Sequence, residues 1–235
     1  MEKSLISVAD NIRRLREEIA GAALRYGRDP ADVALMAVTK TQPPELVNEA
    51  LAAGVRLLGE NRAQELLEKY DRYDKTVLPE IHFIGHLQTN KIKMVVGRVC
   101  MVQSVDSLKL AAAISKQSVK QGVDTGLLIE INIAGEGSKS GIRPEDAEAL
   151  AREIAELPGV TLRGLMTIPP IWNQYQENER FFAQMQQLFV DIRRKNIDNT
   201  CMDILSMGMS DDFAVAIKHG STLVRLGTAI FGRRI

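Results

Sequence analysis

The sequence predicts an α/β chain folded as a single (β/α)8 barrel of the TIM type over residues 1–235, with an additional helix ahead of the first strand. Three observations lead there. Eight short apolar runs recur along the chain, helical patterns or stretches long enough for a helix separate them, and the length is close to the ~250 residues that such barrels use. Alternating strands and helices demand parallel strands with helical crossovers, and eight units in one chain close more naturally into a barrel than into an open doubly wound sheet, which is the alternative.

The first element is the additional helix. Leu5, Val8, Ile12, Leu15, Ile19, Ala22 and Tyr26 recur at spacings of three and four, and Gly27 and Pro30 close the segment. Glu2, Asp10, Glu17 and Glu18 make this stretch too acidic for a transit peptide, so it is read as part of the mature fold. Residues 33–39 are apolar and β-prone, as a strand buried on both faces requires. A helix over 44–53 follows, with proline in its first turn and Gly54 past its end; then come a strand at 55–59 and a helix over 61–70. The remaining strands are expected at 81–85, 99–105, 127–133, 161–168, 202–207 and 222–227, with an exposed glycine-rich loop at 134–141.

Composition narrows the function classes. Thirty basic residues balance thirty acidic ones, so no net field drives nucleic-acid or membrane-surface binding, and a small-molecule partner is favoured. No apolar run approaches the ~20 residues that span a bilayer. Cys100 and Cys201 lie far apart without CxxC or Cys/His spacing, which argues against a disulfide framework or a structural zinc site and fits a reducing cytoplasm. Both fall at strand starts and are expected to be inert core thiols.

Barrel chemistry collects at the carboxyl ends of the strands. Those ends carry Thr39-Lys40-Thr41, Gly59-Glu60-Asn61, Gly85-His86, Ser104, Asn132, Met166-Thr167, residues 206–210 and Gly227-Thr228. Burial of Lys40 favours a neutral amine able to attack an aldehyde, whereas an ordinary lysine would snorkel from the mouth. Ser210 is expected to cap the helix after strand seven, with Asp211 and Asp212 at its positive end. Gly208 lets backbone N–H groups approach an anion, and Gly227-Thr228 forms a second loop beside it, at the strand seven and eight position where barrels bind phosphate. The plain alternative is a capped helix with no ligand.

Arg225 shares a strand face with Gly227 and must meet either a core acid or a ligand. His82 is expected in the core or bottom face, held by a hydrogen bond, and His86 in a loop. Trp172 is assigned no role, and Lys139 reads as a solvated lysine, though it could offer a second amine.

Taken together, the segments at 37–43, 59–65, 82–91, 206–212 and 225–232 resemble the YggS/PROSC family of pyridoxal phosphate homeostasis proteins, with 129–132 and 136–142 also in place. Ile81 departs from the tryptophan that many relatives carry. The resemblance implies a fold-type III barrel like the N-terminal domain of alanine racemase. It also implies pyridoxal 5'-phosphate (PLP) as an aldimine on Lys40, phosphate contacts from Ser206, Gly208, Met209, Gly227 and Thr228, and polar contacts from Asn61 and Arg225. No catalytic residue and no metal ligand is assigned.

With no second, mostly β domain after the eighth strand, and no evident partner acid or base, the expected role is PLP storage and delivery in a cytoplasmic monomer, with apo PLP-dependent enzymes as recipients and an indirect effect on amino-acid and keto-acid balance. A PLP-dependent amino-acid racemase is the enzyme alternative. A class I aldolase-like enzyme, using the lysine and a phosphate pocket without PLP, is the third.

Overall fold

Eight parallel strands run in chain order around a closed barrel, β1 pairing with both β2 and β8. In the computed structural model, which describes residues 7–135, 140–169 and 175–232, they are β1 Ala34–Val38, β2 Leu57–Glu60, β3 Glu80–Phe83, β4 Met101–Val105, β5 Thr125–Glu130, β6 Val160–Met166, β7 Thr200–Ser206 and β8 Leu223–Leu226. The helices are α1 Val8–Arg25, α2 Pro44–Ala52, α3 Ala63–Tyr70, α4 Ile92–Val95, α5 Leu108–Gln121, α6 Ala147–Ala155, α7 Tyr175–Arg194, α8 Phe213–Lys218 and α9 Thr228–Phe231. The expectations for Leu5, Lys139, Trp172 and positions 136–139 of the glycine-rich loop lie outside the described residues.

Past their first residues the strands are covered on both faces, and the two faces meet different cores. Met36, Ile84 and Leu223 form one small cluster and Met101, Leu128 and Met166 another, with Ile204 against both; these fill the barrel interior. The other strand face joins the helices in one continuous core containing Ala37, Leu58, Val102, Leu127, Leu165 and Val224. A lumen closed by methionine and leucine side chains is a packed core, so ligand chemistry is confined to the rims.

The additional helix α1 buries Val8, Ile12, Leu15, Ile19 and Ala22 as its spacing predicts, while Tyr26 lies exposed. Ser7 accepts the Asp10 N–H at 3.1 Å and caps its start. The helix lies across α2, α8 and α9 and ties the first unit to the last. Asn11 donates to the Ile230 carbonyl at 2.9 Å, and Arg28, just past the helix, donates to the carbonyls of Ile217 and Ser221 at 2.8 and 2.7 Å. Among the described residues no helix is long and apolar enough to cross a membrane.

Strand boundaries differ from the sequence expectation by one to three residues, and for two of them the reason is visible. Val55 belongs to the end of α2, where its N–H bonds Ala50 O at 3.0 Å, so β2 begins at Leu57. β5 stops at Glu130 because Asn132 N bonds Ile142 O at 2.8 Å, which turns the chain into the following loop. The cysteines require a correction. Both lie near strand starts, but Cys100 and Cys201 are exposed rather than core. The Cys100 thiol still rests against Ile81 O at 3.4 Å, and burial of that atom, followed by the charge of Glu80, pushes its pKa up to about 11.

Candidate functional site

Lys40 stands two residues past the end of β1 and occupies a turn in which Gln42 N bonds Thr39 O at 3.1 Å. The third position of that turn is Thr41, with φ 64°. A β-branched residue in the left-handed region is strained, so something must hold it. The restraint comes from the next unit: the Glu65 carboxylate accepts the Thr41 N–H, and Lys69 Nζ donates to Thr39 O at 2.9 Å and to Gln42 O at 3.5 Å.

Behind this turn lies a buried ionic cluster. Glu60 is fully buried, and its Oε1 accepts from Thr39 Oγ1 at 2.6 Å, from Tyr73 Oη at 2.5 Å and from Lys69 Nζ at 2.8 Å. Lys69 also pairs with Glu65 at 2.8 Å. Burial and the Glu60 charge raise the Tyr73 hydroxyl far above its usual range, so it remains a donor. Sequence reading passed over Glu60, Glu65 and Lys69 as site residues. The signals were an acid at a strand end and the Glu65-to-Lys69 spacing of four, which places both on one helix face.

Asn61 stands at the end of β2, and its Oδ1 is buried without a hydrogen-bond partner. Gly85 packs directly on its backbone: a Cβ there would stand 2.1 Å from Asn61 O and 2.8 Å from Asn61 Cα. Because backbone cannot swing aside, Gly85→Ala is expected to lower stability by about 1–3 kcal/mol or more through overpacking. Urea denaturation checks this, and an unchanged midpoint would show that the β2 and β3 ends separate freely.

On the far side of Lys40, two loops interlock. Arg225 N bonds Gly208 O at 3.0 Å, and Met209 N bonds Asp212 Oδ1 at 2.6 Å. Gly208 has φ 94°, and a Cβ there would meet Ala216 Cβ at 2.6 Å and Phe213 Cα at 3.0 Å, so the turn requires glycine. Ser210 does not cap α8, contrary to the sequence expectation, because Asp212 occupies the N-cap position. Its Oγ reaches the neighbouring loop instead, accepting from Thr228 Oγ1 at 3.2 Å and Ala229 N at 3.3 Å. Gly227 abuts Val38, so the Gly208 and Gly227 loops sit beside the end of β1 that carries Lys40.

Arg225 points into the barrel beneath these loops. It donates to Ser206 Oγ at 2.6 Å and Thr167 O at 2.8 Å, while Asp212 and Glu130 supply compensating charge. Burial lowers its pKa to about 10, which leaves it cationic at neutral pH. Ser206 donates onward to Gln103 Oε1 at 2.7 Å, and Gln103 Nε2 meets His82 Nδ1 at 2.7 Å. His82 is therefore the hydrogen-bonded core residue expected, with a pKa brought down to about 3 by burial and then by Arg163. His86 is exposed, 3.7 Å from Asp106.

The structure thus gathers Lys40, Asn61, Gly208, Met209, Gly227 and Thr228 around one rim, with Arg225 and Ser206 just below. Ser206 has its single proton engaged by Gln103, so a phosphate contact from its hydroxyl would require breaking that bond. Glu130, at the end of β5, completes the floor. Burial, then Asp106, raises its pKa to about 7 against the opposing effect of Arg225. Its partner Met166 faces the lumen, and so does Leu128 two residues earlier; the pattern was readable, but an acid inside a barrel was not expected.

Residues 4–234 match the alanine racemase N-terminal domain family. Two curated relatives named pyridoxal phosphate homeostasis protein align over nearly their whole length. That of Aquifex aeolicus is 40% identical over 229 residues, covering 97% of this chain and 99% of the relative, and that of Pseudomonas aeruginosa is 42% identical over 228 residues, covering 97% and 96%. The chain belongs to the pyridoxal phosphate homeostasis protein family.

Within the solved structures, PipY of Synechococcus elongatus with PLP bound superposes with a TM-score of 0.83 at 32% identity, covering 96% of this chain and all of that one. Alanine racemase from Corynebacterium glutamicum superposes with a TM-score of 0.70 at 16% identity, covering 97% of this chain and 61% of that one. The racemase likeness carries the fold alone. The homeostasis proteins match this chain in both sequence and extent.

Proposed function

We propose that this chain holds PLP reversibly at the carboxyl-terminal rim of the barrel, attached through the Lys40 amine, and releases it to apo PLP-dependent enzymes. PLP supplies an electrophilic aldehyde and an anionic phosphate. The residues at the rim fit both. The observation that carries the reading is the placement of a strand-end lysine, on a strained turn, between an orphaned Asn61 Oδ1 and the paired glycine loops at Gly208 and Gly227. An unpaired buried acceptor is stabilised by a ligand donor, and glycine loops let main-chain N–H groups close on an anion.

In this reading the Glu65 and Lys69 contacts hold Lys40 at the mouth, and the backbone of Gly208, Met209, Gly227 and Thr228 binds phosphate. Arg225 contributes a fixed positive charge from below. Met209 N would leave Asp212 to do so, and this exchange of one anion for another lowers the net gain of capture and eases release. Ser206 acts mainly by fixing Arg225. Holding and delivery, rather than turnover, follow the names of the relatives that match the whole chain.

The test is absorbance of the protein after incubation with PLP, followed by borohydride reduction and peptide mapping. The parent is expected to turn yellow and to carry the phosphopyridoxyl group on Lys40, and Lys40→Ala is expected to lose both signals. Modification that persists in the variant, or never reaches Lys40, would overturn the assignment. A chiral assay of the loaded protein with free amino acids distinguishes a holder, which leaves them unchanged, from a racemase.

A further inference from the structure

The opposite rim carries a second set of chemically distinctive side chains that the PLP reading does not use. We propose that Glu80, His82 and Cys100 form a site for a thiophilic divalent cation of the zinc class at the amino-terminal floor of the barrel. One ligand atom from each lies within 4.8 Å of the other two. Glu80 and His82 are two apart on β3 and so share its face, and Cys100 immediately precedes β4, the adjacent strand, so the grouping is fixed by the barrel and not by a loop.

The donor set suits the ion. One carboxylate, one imidazole and one thiolate are the mixed O, N and S ligands of tetrahedral zinc, and their two negative charges neutralise a dication. The thiol proton passes to water as the sulfur binds. Arg163 lies close enough for its charge to act on both His82 and Cys100, but its guanidinium is already paired with Asp203, Nε to Oδ1 at 2.8 Å, which tempers its repulsion of a cation. Glu80 and Cys100 are exposed, so the ion has a path in and a water can complete its coordination.

His82 has a side chain beside its second ring nitrogen that can support ligation once the amide of that side chain is reversed. Its Nδ1 is engaged by the Gln103 amide, which leaves Nε2 as the ligand atom. Ligation through Nε2 places the ring proton on Nδ1, and Gln103 meets it by exchanging its amide ends, which turns its NH2 onto Ser206 Oγ and releases the Ser206 proton from the Gln103 carbonyl.

Equilibrium dialysis of the full chain against zinc, and titration with cobalt followed by its thiolate charge-transfer absorbance, test the site. The expected result is one equivalent of metal with the charge-transfer band present. Cys100→Ser abolishes the band and weakens binding about 100-fold, Glu80→Gln weakens it at least about tenfold, and Cys201→Ser changes nothing. These variants alter exposed residues, and thermal denaturation confirms that they remain folded. Absence of stoichiometric binding, or binding indifferent to Cys100→Ser, would overturn the proposal.

Discussion

Replacing Lys69 by methionine is expected to destabilise the protein by about 3–5 kcal/mol, the characteristic loss when one member of a buried ion pair is removed and the other remains. Lys69 is almost wholly buried, and Glu60, its partner at 2.8 Å, is completely so. The variant strands that carboxylate with only the Thr39 and Tyr73 hydroxyls as donors, while its Oε2 already has no partner. The Thr39 and Gln42 carbonyls lose their lysine donor as well, so the strained Thr41 turn loosens and attachment of PLP to Lys40 slows. Neutralising Glu60 in the same chain, as Glu60→Gln with Lys69→Met, is expected to regain part of the loss because the uncompensated charge is gone and an acceptor for the two hydroxyls remains. Urea denaturation of both variants measures this. A loss below about 1 kcal/mol in the single variant would mean that water reaches the cluster and that the turn is held by other contacts.

This cluster also marks how far the sequence could be read. The barrel was legible because its causes are local: apolar runs of strand length, helix-period segments between them, and unusual residues at strand ends. Lys40, Asn61 and the two glycine loops were legible for the same reason, since each is punctuation at the end of an apolar run. What could not be read is pairing across the barrel. Ser210 looks like a cap for its own helix, but it serves the loop that follows β8, which is its neighbour only after closure. Glu60 looks like an ordinary charge at a strand end and Glu65 and Lys69 like those of a solvated helix, and the burial of Glu60 follows from Tyr73 and Thr39 closing over it. Cys100 precedes β4 and Cys201 is the second residue of β7, where the strands are just entering the core, so both residues stay exposed at that end of the barrel.

Glu130 is expected to make both stability and PLP affinity depend on pH near neutrality. In the unfolded chain a glutamate loses its proton near its ordinary value of 4.5, whereas in the fold burial and Asp106 delay that loss to about 7. Between these limits the folded state binds the extra proton, so stability falls as pH rises through the window. At about 1.36 kcal/mol for each pH unit separating the two values, the full penalty above pH 7 is on the order of 3 kcal/mol. Glu130→Gln removes it, and the variant is expected to match the parent near about pH 4.5 and to exceed it in stability above about pH 7. The charged groups acting on Glu130 are Asp106, which opposes ionisation, and Arg225, which favours it. Once ionised, Glu130 draws on the same guanidinium field that the phosphate uses, and the parent should bind PLP more weakly than the variant. Because the titration of PLP itself is common to both proteins, the ratio of their affinities isolates Glu130. That ratio is expected to be near one in mild acid and to turn against the parent above about pH 7. A ratio independent of pH would show that Glu130 is either ionised throughout or too far from the phosphate to matter.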